Sequence, residues 1–320
     1  MEKWIAEEII ACLPEGRTLF YYFKDRYALM LLAWVVGDGM RVAELKGSRY
    51  AGLLDKPVVK RFLAGNGGNR VAAEALQACW PQPPEVFLLG LTIWGSERQR
   101  QRSWCQLSRP GFNLVLQLNF SNQHDRPYQR LVRPVAGSRF NYSRHPVMRP
   151  GQRAWFRETL AWARIDVDLD RGEALIEEVQ SDWIGYAREL ERYIRRKQAA
   201  GCSETRLGGI TGSNAGVLTY VDEVLGPYVR IWDEAMLAAA VGFIRDELAI
   251  RSIYFHDFET GMTLKGLTPN SQPPRSLYTH LPRRFCFQRT RRMPGLLSNE
   301  KTVRKALKKL SEPCWYYLQL

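Results

Sequence analysis

The sequence of 320 residues has no hydrophobic run long enough to cross a membrane. Its longest apolar stretch, Tyr27 to Gly37, is about half the roughly 20 residues that a membrane-spanning helix needs. Residues Met1 to Glu8 carry glutamates before any long apolar run, which is not the pattern of a secretory signal. We therefore expect a cytoplasmic protein with no membrane partner.

Paired metal ligands and common cofactor motifs are also missing. The six cysteines include no CxxC pair, and the four histidines include no HxH or HxxxH spacing. A zinc ribbon, a histidine metal site and a secreted disulfide framework are therefore disfavoured. The sequence has no Walker, Rossmann, GxSxG or protein-kinase signature, so these nucleotide-binding and hydrolase classes receive no support.

The composition is that of a folded protein. Apolar residues make up 45% and charged residues 25%, and ten Trp, fourteen Tyr and thirteen Phe can build a large core. Helical and strand periodicities are interspersed along the chain, which predicts an α+β or mixed α/β fold. The sequence does not indicate the oligomeric state.

Positive charge is concentrated in two segments. The net charge is +13; residues 91–153 contain eleven arginines, no lysine and two acids, and residues 271–320 contain eleven basic residues and two acids. Arginine binds phosphate in a bidentate manner, and the aromatic residues between these arginines can stack on bases. RNA or DNA is therefore a possible partner; a phosphorylated small ligand or a merely solvated basic surface are the alternatives. The candidate nucleic-acid contacts are Arg98, Arg100, Arg102, Arg126, Arg130 and Arg133.

The patterns divide the chain into three parts. Residues 1–150 are predicted to form a mixed α/β N-terminal domain with an Arg-rich connector near 121–151, residues 151–297 a second domain, and residues 298–320 a basic C-terminal helix and tail. In the second domain, a strand at Thr159–Asp168, a turn and a strand at Ala174–Trp183 predict a hairpin. A helix at Ile184–Ala200 follows. The later predicted elements are a helix at Trp232–Leu248, a strand at Arg251–Phe258, a short helix at Pro274–Pro282, a strand at Phe285–Arg289 and a helix at Thr302–Leu310.

The second strand of this hairpin is unusually polar. If side chains alternate along it, one face carries Ile176, Glu178, Gln180 and Asp182, and the other carries Leu175, Glu177, Val179, Ser181 and Trp183. Buried polar groups cost free energy unless they are paired or face a wet cleft. We therefore expect a functional cleft here, the alternative being an edge strand whose polar face meets water. On the partner strand Trp162, Arg164 and Asp166 share one face, from which Arg164 can pair with Glu178 or Asp182.

The hairpin resembles a domain of the very large polyvalent proteins of phages and mobile elements. The resemblance rests on Trp162-Ala163-Arg164 followed by the run Glu178-Val179-Gln180-Ser181-Asp182-Trp183. It continues with Trp232 at the start of an apolar helix and with Tyr278, Leu281, Pro282, Phe285 and Phe287 further on. It covers residues 155–297 and implies a phage or mobile-element context.

The order of elements is also similar to the second half of the GNAT acyltransferase fold: hairpin, helix, strand, a short helix with a tyrosine, and a strand. This resemblance implies a GNAT-like mixed sheet with flanking helices, in which Tyr278 acts as general acid. The candidate catalytic residues are Glu178, Asp182, Tyr278 and His256, the last at a strand end where catalytic bases often lie. The candidate substrate-binding residues are Arg164, Gln180, Ser181, Trp183 and Trp162.

The sequence departs from the GNAT pattern at the cofactor loop. The resemblance places a glycine-rich pyrophosphate loop before Trp232, where Gly226-Pro227-Tyr228-Val229-Arg230-Ile231 stands instead. Acetyl-CoA is therefore doubtful and the cofactor is unknown. Two functions stay open: a GNAT-like transferase of unknown donor and substrate, with Glu178 deprotonating an amine, or a non-catalytic nucleic-acid-binding module that uses the Arg-rich patches.

Overall fold

The computed structural model describes residues 1–13, 18–67, 69–96, 105–135, 140–148, 157–202 and 208–320. Within these ranges the chain folds into fourteen α-helices and ten strands, so the expected α+β class is confirmed. Three of the candidate nucleic-acid contacts, Arg98, Arg100 and Arg102, lie outside the described residues.

Eight of the ten strands form one large sheet. The strands are β1 (Thr18–Tyr22), β2 (Met40–Arg41), β3 (Arg70–Val71), β4 (Glu85–Ser96), β5 (Gly111–Phe120), β6 (Thr159–Asp168), β7 (Glu173–Gln180), β8 (Ser252–His256), β9 (Gln288–Thr290) and β10 (Trp315–Gln319). The order in the large sheet is β1-β4-β5-β6-β7-β8-β10-β9, and β2 and β3 pair separately. All neighbours in the large sheet are antiparallel except β7 and β8.

Helices cover both faces of this sheet. The helices are α1 (Lys3–Cys12), α2 (Arg26–Val36), α3 (Val42–Lys46), α4 (Pro57–Gly65), α5 (Ala73–Gln77), α6 (Asn122–Leu131), α7 (Asp182–Ala199), α8 (Asn214–Thr219), α9 (Gly226–Val229), α10 (Trp232–Gly242), α11 (Phe258–Lys265), α12 (His280–Arg284), α13 (Gly295–Ser298) and α14 (Lys301–Leu307). The main hydrophobic core lies where α10 packs against β5, β6 and β7. A smaller core on the other face joins β7, β8 and β10 to α13 and α14.

The predicted hairpin is confirmed, but its second strand is shorter than expected. β7 ends at Gln180, and Ser181 caps α7 by accepting a hydrogen bond at Oγ from the Ile184 amide at 3.1 Å. A serine that satisfies a free amide at a helix start is a common reason for a helix to begin there. Asp182 and Trp183 therefore belong to the helix, and the prediction that they alternate along a strand is wrong.

A β-bulge also changes which face the polar residues of β7 occupy. Arg164 of β6 pairs with Glu178, whereas the next residue pairs with Ile176, so Glu177 is an extra residue. Ile176 and Val179, three residues apart, both pack in the main core, which a regular strand does not permit. Glu177 and Glu178 consequently turn to the same face, opposite the main core, and the predicted division of these two glutamates between two faces is wrong.

The large sheet crosses the boundary that the sequence placed at residue 150. β5 and β6 pair directly, with Leu114 opposite Ile165. The C-terminal segment also enters the sheet, because β10 lies between β8 and β9. Among the described residues no helix is both long enough and apolar enough to span a membrane.

Candidate functional site

The polar groups collect on the face of β6 and β7 that lies opposite the main core. Trp162, Arg164 and Asp166 share this face, as predicted, because the alternating residues Ala163 and Ile165 pack in the core. The face lies at the carboxyl end of β7, next to its parallel neighbour β8. The carboxyl ends of parallel strands are where α/β sheets commonly bind ligands.

Arg164 is the centre of a buried ion-pair cluster. One of its terminal nitrogens donates to Glu178 Oε2, which is one of the two partners expected from the sequence. The guanidinium also donates to the carbonyl oxygens of Cys105 at 2.6 Å and Gln106 at 3.0 Å. Burial alone favours a higher pKa for Glu178, but the charges of Lys265 and Arg164 together lower that pKa below its ordinary value. Glu178 is thus held as a carboxylate.

Lys265 closes the gap where the two parallel strands part. The pairing of β7 with β8 ends at Ile176, and the next carbonyl, that of Glu177, accepts a hydrogen bond from Lys265 Nζ at 3.1 Å. The same ammonium donates to the Tyr278 hydroxyl at 2.9 Å and lies 3.8 Å from Glu178 Oε2. Burial lowers the pKa of Lys265 and raises the pKa of Tyr278 well above its usual range. The predicted general acid Tyr278 is therefore a buried phenol that keeps its proton.

Glu177, Ser108 and His256 form a second buried cluster. Ser108 Oγ lies 2.7 Å from Glu177 Oε2 and 2.7 Å from His256 Nε2, and the same carboxylate oxygen is 3.1 Å from that nitrogen. In a catalytic triad the acid binds the other ring nitrogen, so this is not triad geometry. His256 Nδ1 has no partner among the described residues. Burial favours a higher pKa for Glu177, but the hydrogen bond and charge of His256, with Arg164 and Lys265, lower that pKa to about 2.

The solvent-reachable part of the site is an Asp–His pair. Nδ1 of His145 lies 2.9 and 2.8 Å from the two carboxylate oxygens of Asp182, and the Gln180 amide donates to Asp182 Oδ1 at 2.6 Å. Because a carboxylate can only accept, Nδ1 carries the proton in this contact. The Asp182 side chain is 0% exposed, whereas that of His145 is 32% exposed. The imidazole therefore has one nitrogen fixed by a buried acid, while part of its ring faces solvent.

Two aromatic rings and a strap of chain hold His145 in place. The ring packs edge-on against Tyr142 at 5.4 Å and Trp162 at 5.6 Å between centroids. Residues 140–148, the strap, run over the polar face; the carbonyl of Pro146 accepts from Gln117 Nε2 at 2.6 Å. Both ends of the strap are held at Thr159: the amide of Met148 donates to Thr159 Oγ1 at 2.8 Å, and Asn141 Nδ2 donates to the Thr159 carbonyl at 3.0 Å.

Two predicted substrate-binding residues have structural partners elsewhere. Ser181 caps α7 and donates through Oγ to the Leu160 carbonyl at 2.5 Å. Trp183 is fully buried in the main core, where its Nε1 donates to the Tyr220 hydroxyl at 2.6 Å. The structure thus brings Arg164, Glu178, Gln180, Asp182 and Trp162 together on one face and places Trp183 apart from them.

The first turns of α7 and α10, the helices that follow the polar strand and the predicted loop, carry acids. Gly226–Val229 form α9, and the first turn of α10 contains Asp233 and Glu234. The helix after β7 begins with Asp182. A helix N-terminus attracts anions, but a carboxylate in its first turn repels a phosphate.

The described candidate nucleic-acid contacts lie at the surface. Arg126 and Arg130, four residues apart, are exposed on α6, and Arg133 is exposed just after it. Residues four apart lie on the same side of a helix, so the first two guanidinium groups can act together.

Sequence reasoning missed His145, Ser108 and Lys265. His145 lies in the irregular Arg- and Pro-rich connector, and a search for paired histidines passes over a histidine whose partner is an aspartate 37 residues away. Ser108 and Lys265 have no local pattern at all. Only the tertiary fold brings these side chains to the polar strand.

Comparisons of the chain with models of known families, with curated proteins and with solved structures find no match. Within the described ranges, no group of three or more His, Cys, Asp or Glu side chains is arranged to hold a metal ion. The function must therefore be argued from the site itself.

Proposed function

We propose that the protein is a GNAT-like transferase in which His145, supported by Asp182, is the general base. The observation that supports this most is the contact of Nδ1 with the buried carboxylate, which leaves Nε2 of a partly exposed imidazole as the proton acceptor. The order of elements also supports it: the hairpin, α7, β8, the turn with Tyr278 and β9 follow one another as in the GNAT resemblance, with α8, α9 and α10 inserted before β8 and α11 after it. The phage or mobile-element context rests on the hairpin motif alone.

The proposed chemistry begins with an amine or hydroxyl of the acceptor substrate. His145 Nε2 removes its proton as the nucleophile bonds to the acyl carbon of a thioester donor; the carbon–sulfur bond breaks, and the thiolate leaves and takes a proton from solvent. Asp182 stabilises the resulting imidazolium, which then releases its proton to solvent. Gln180 keeps the carboxylate turned toward the imidazole. Trp162 forms one wall of this site, because its ring packs against the imidazole.

Glu178 is less suited to be the base than the sequence indicated. Its carboxylate is buried, binds Arg164 and lies near Lys265, and its pKa is lowered, so it takes up a proton poorly. In the proposed mechanism Glu178 holds Arg164 in position and His145 takes the base role. Acetyl-CoA stays a doubtful donor, since acids lie in the first turns of α7 and α10 and Lys265 fills the gap between β7 and β8.

A transfer assay with point variants tests this function. Purified protein is incubated with acetyl-CoA and longer acyl-CoA thioesters and with a panel of small amines and aminoglycosides, and acylated products are detected by mass spectrometry. We expect His145→Gln to lower the rate by about 100-fold or more, because general bases contribute roughly 10²–10⁴. His280→Gln, which alters an exposed histidine of α12, is the matched control and leaves the rate unchanged.

Two results contradict the proposal. A His145→Gln protein that transfers as fast as wild type shows that the imidazole is not the base. If the wild-type protein transfers no acyl group from any of the thioesters, the acyltransferase assignment is wrong. The buried polar face is then structural.

Nucleic-acid binding is a second candidate function. The observation that favours it is the exposure of Arg126, Arg130 and Arg133 on and after α6. If they contact phosphates, changing all three to Gln flattens the salt dependence of oligonucleotide binding by about two units on a log–log plot. An unchanged salt slope in the triple variant excludes α6 as the binding surface.

A further inference from the structure

A groove of about 560 Å³ opens beside the C-terminal strand, on the opposite side of β8 from β7. Its apolar walls are Met293, Leu307, Pro313 and Trp315, and Arg291 and Glu312, which pair with each other, lie at its edge. A groove walled by an indole, a thioether and an aliphatic side chain suits a flat, polarisable group such as a nucleobase.

Trp315 gives the groove a rigid wall with an unmet hydrogen-bond donor. It is 1% exposed and is fixed in the sheet between His256 of β8 and Thr290 of β9. Its Nε1 is buried and has no acceptor among the described residues. Trp315 therefore serves the groove as a fixed apolar wall.

The helix beside this groove is strongly basic. α14 and the two residues after it carry five exposed cations, and no hydrogen bond or ion pair to a carboxylate is found for them within the described ranges. These cations are Lys301, Arg304, Lys305, Lys308 and Lys309. Leu307 and Ser311 of the groove lining flank Lys308 and Lys309 in the sequence, so these cations lie next to the groove.

We propose that this surface binds single-stranded nucleic acid, with one base in the groove and the adjoining phosphates on the cations of residues 301–309. An isolated anion would use the cations but not the apolar walls, and an apolar ligand would not use the cations. A nucleotide chain has both a flat base with hydrogen-bond acceptors and a charged backbone. The site is independent of the His145–Asp182 pair and of the α6 arginines.

A salt titration of binding tests the phosphate contacts. The full-length protein is titrated, by fluorescence anisotropy, against fluorescein-labelled 15-nucleotide RNA and DNA of the same sequence at 50 to 300 mM salt. We expect the Lys305→Gln, Lys308→Gln, Lys309→Gln triple variant to flatten the log–log salt slope by about two, since each single-strand phosphate contact contributes about 0.7. The matched control changes Arg188, Arg192 and Arg196 to Gln, three exposed arginines of α7 that belong to neither proposed nucleic-acid surface, with the same loss of charge.

The groove is tested separately by filling it. Ser311→Trp places a large ring in the groove from an exposed position that is not part of the core. We expect it to weaken binding at every salt concentration by roughly tenfold with the slope unchanged, because base stacking is worth about 1–3 kcal/mol and does not depend on salt. AMP is expected to compete for the site, and inorganic phosphate at equal ionic strength is not.

Each other outcome overturns the proposal. No binding to either oligonucleotide at 50 mM salt removes the site. An equal effect of the lysine and α7 triple variants shows that binding follows total charge, and a slope that flattens only when Arg126, Arg130 and Arg133 are changed to Gln assigns binding to α6. Full affinity in Ser311→Trp shows an ionic contact only, without a base in the groove.

Discussion

At the scale of single residues, the neighbouring acids Glu177 and Glu178 show how a bulge gives two similar side chains different partners. Glu177 binds Ser108 and His256, whereas Glu178 binds Arg164 and lies near Lys265. The sequence was sufficient to predict that this strand is polar and that Arg164 can reach Glu178. It was not sufficient to predict the bulge, because an inserted residue leaves no mark in a short alternating pattern.

The low pKa of Glu177 makes a prediction about acid stability. Its pKa is about 2 in the folded protein and about 4.3 in an unfolded chain. The carboxylate therefore contributes stability that is fully present above about pH 5 and is lost as the pH falls from there toward 2. Glu177→Gln should be less stable than wild type by a few kcal/mol at pH 7, since it breaks a buried pair, and the difference should shrink below pH 4.

Urea unfolding at a series of pH values measures this difference. Glu189→Gln, which alters an exposed acid on α7, is the control and should follow the wild-type curve. A gap between Glu177→Gln and wild type that stays constant from pH 7 to pH 2 would falsify the proposed linkage.

At the scale of secondary-structure elements, the start of α7 determines where Asp182 lies. The pattern of residues 178–183, the run that resembles a known motif, predicted a continuous strand. In the structure Ser181, within this run, caps α7. A serine followed by an acid is a helix-start signal. The alternating pattern of the residues before it, however, favours a strand. The hairpin, α7 and α10 were predictable because their periodicity is long. The boundary between β7 and α7 was not, although the position of Asp182 depends on it.

Removal of the α7 cap should therefore lower both the stability of the fold and the rate of transfer. Ser181→Ala leaves the Ile184 amide without its acceptor and should cost about 1 kcal/mol. It should also lower the transferase rate, because Asp182 is the first residue of the helix that loses its cap. Ser213→Ala removes the equivalent cap of α8, where Ser213 Oγ accepts from the Gly216 amide at 3.1 Å, and should cost similar stability with no effect on rate. If both variants keep the full transfer rate, the cap does not position Asp182.

At the scale of the whole molecule, the large sheet pairs strands from distant parts of the chain. Strands from the first 150 residues pair with β6, and β10 from the last residues inserts between β8 and β9. The composition showed that the C-terminal segment is positively charged, and its sequence pattern predicted the helix there. The strand that follows was missed, because the five residues Trp315–Gln319 come after a proline and give too short a pattern to distinguish from a tail.

The position of β10 predicts that the C-terminal segment is needed for folding. Deletion of residues 298–320 removes the strand between β8 and β9 and exposes the core faces that Trp315, Tyr316 and Leu318 cover. Each of these large apolar side chains contributes about 1.5–3 kcal/mol by its burial, and their sum rivals the 5–15 kcal/mol that stabilises a typical domain. We therefore expect the truncated protein to show no cooperative thermal unfolding by circular dichroism.

A variant with Lys301 and Arg304 changed to Gln is the control, because these exposed residues of the same segment carry charge but no core packing. It should unfold like wild type. A truncated protein that unfolds cooperatively near the wild-type midpoint would show that residues 298–320 form a dispensable tail and that β8 can end the sheet alone.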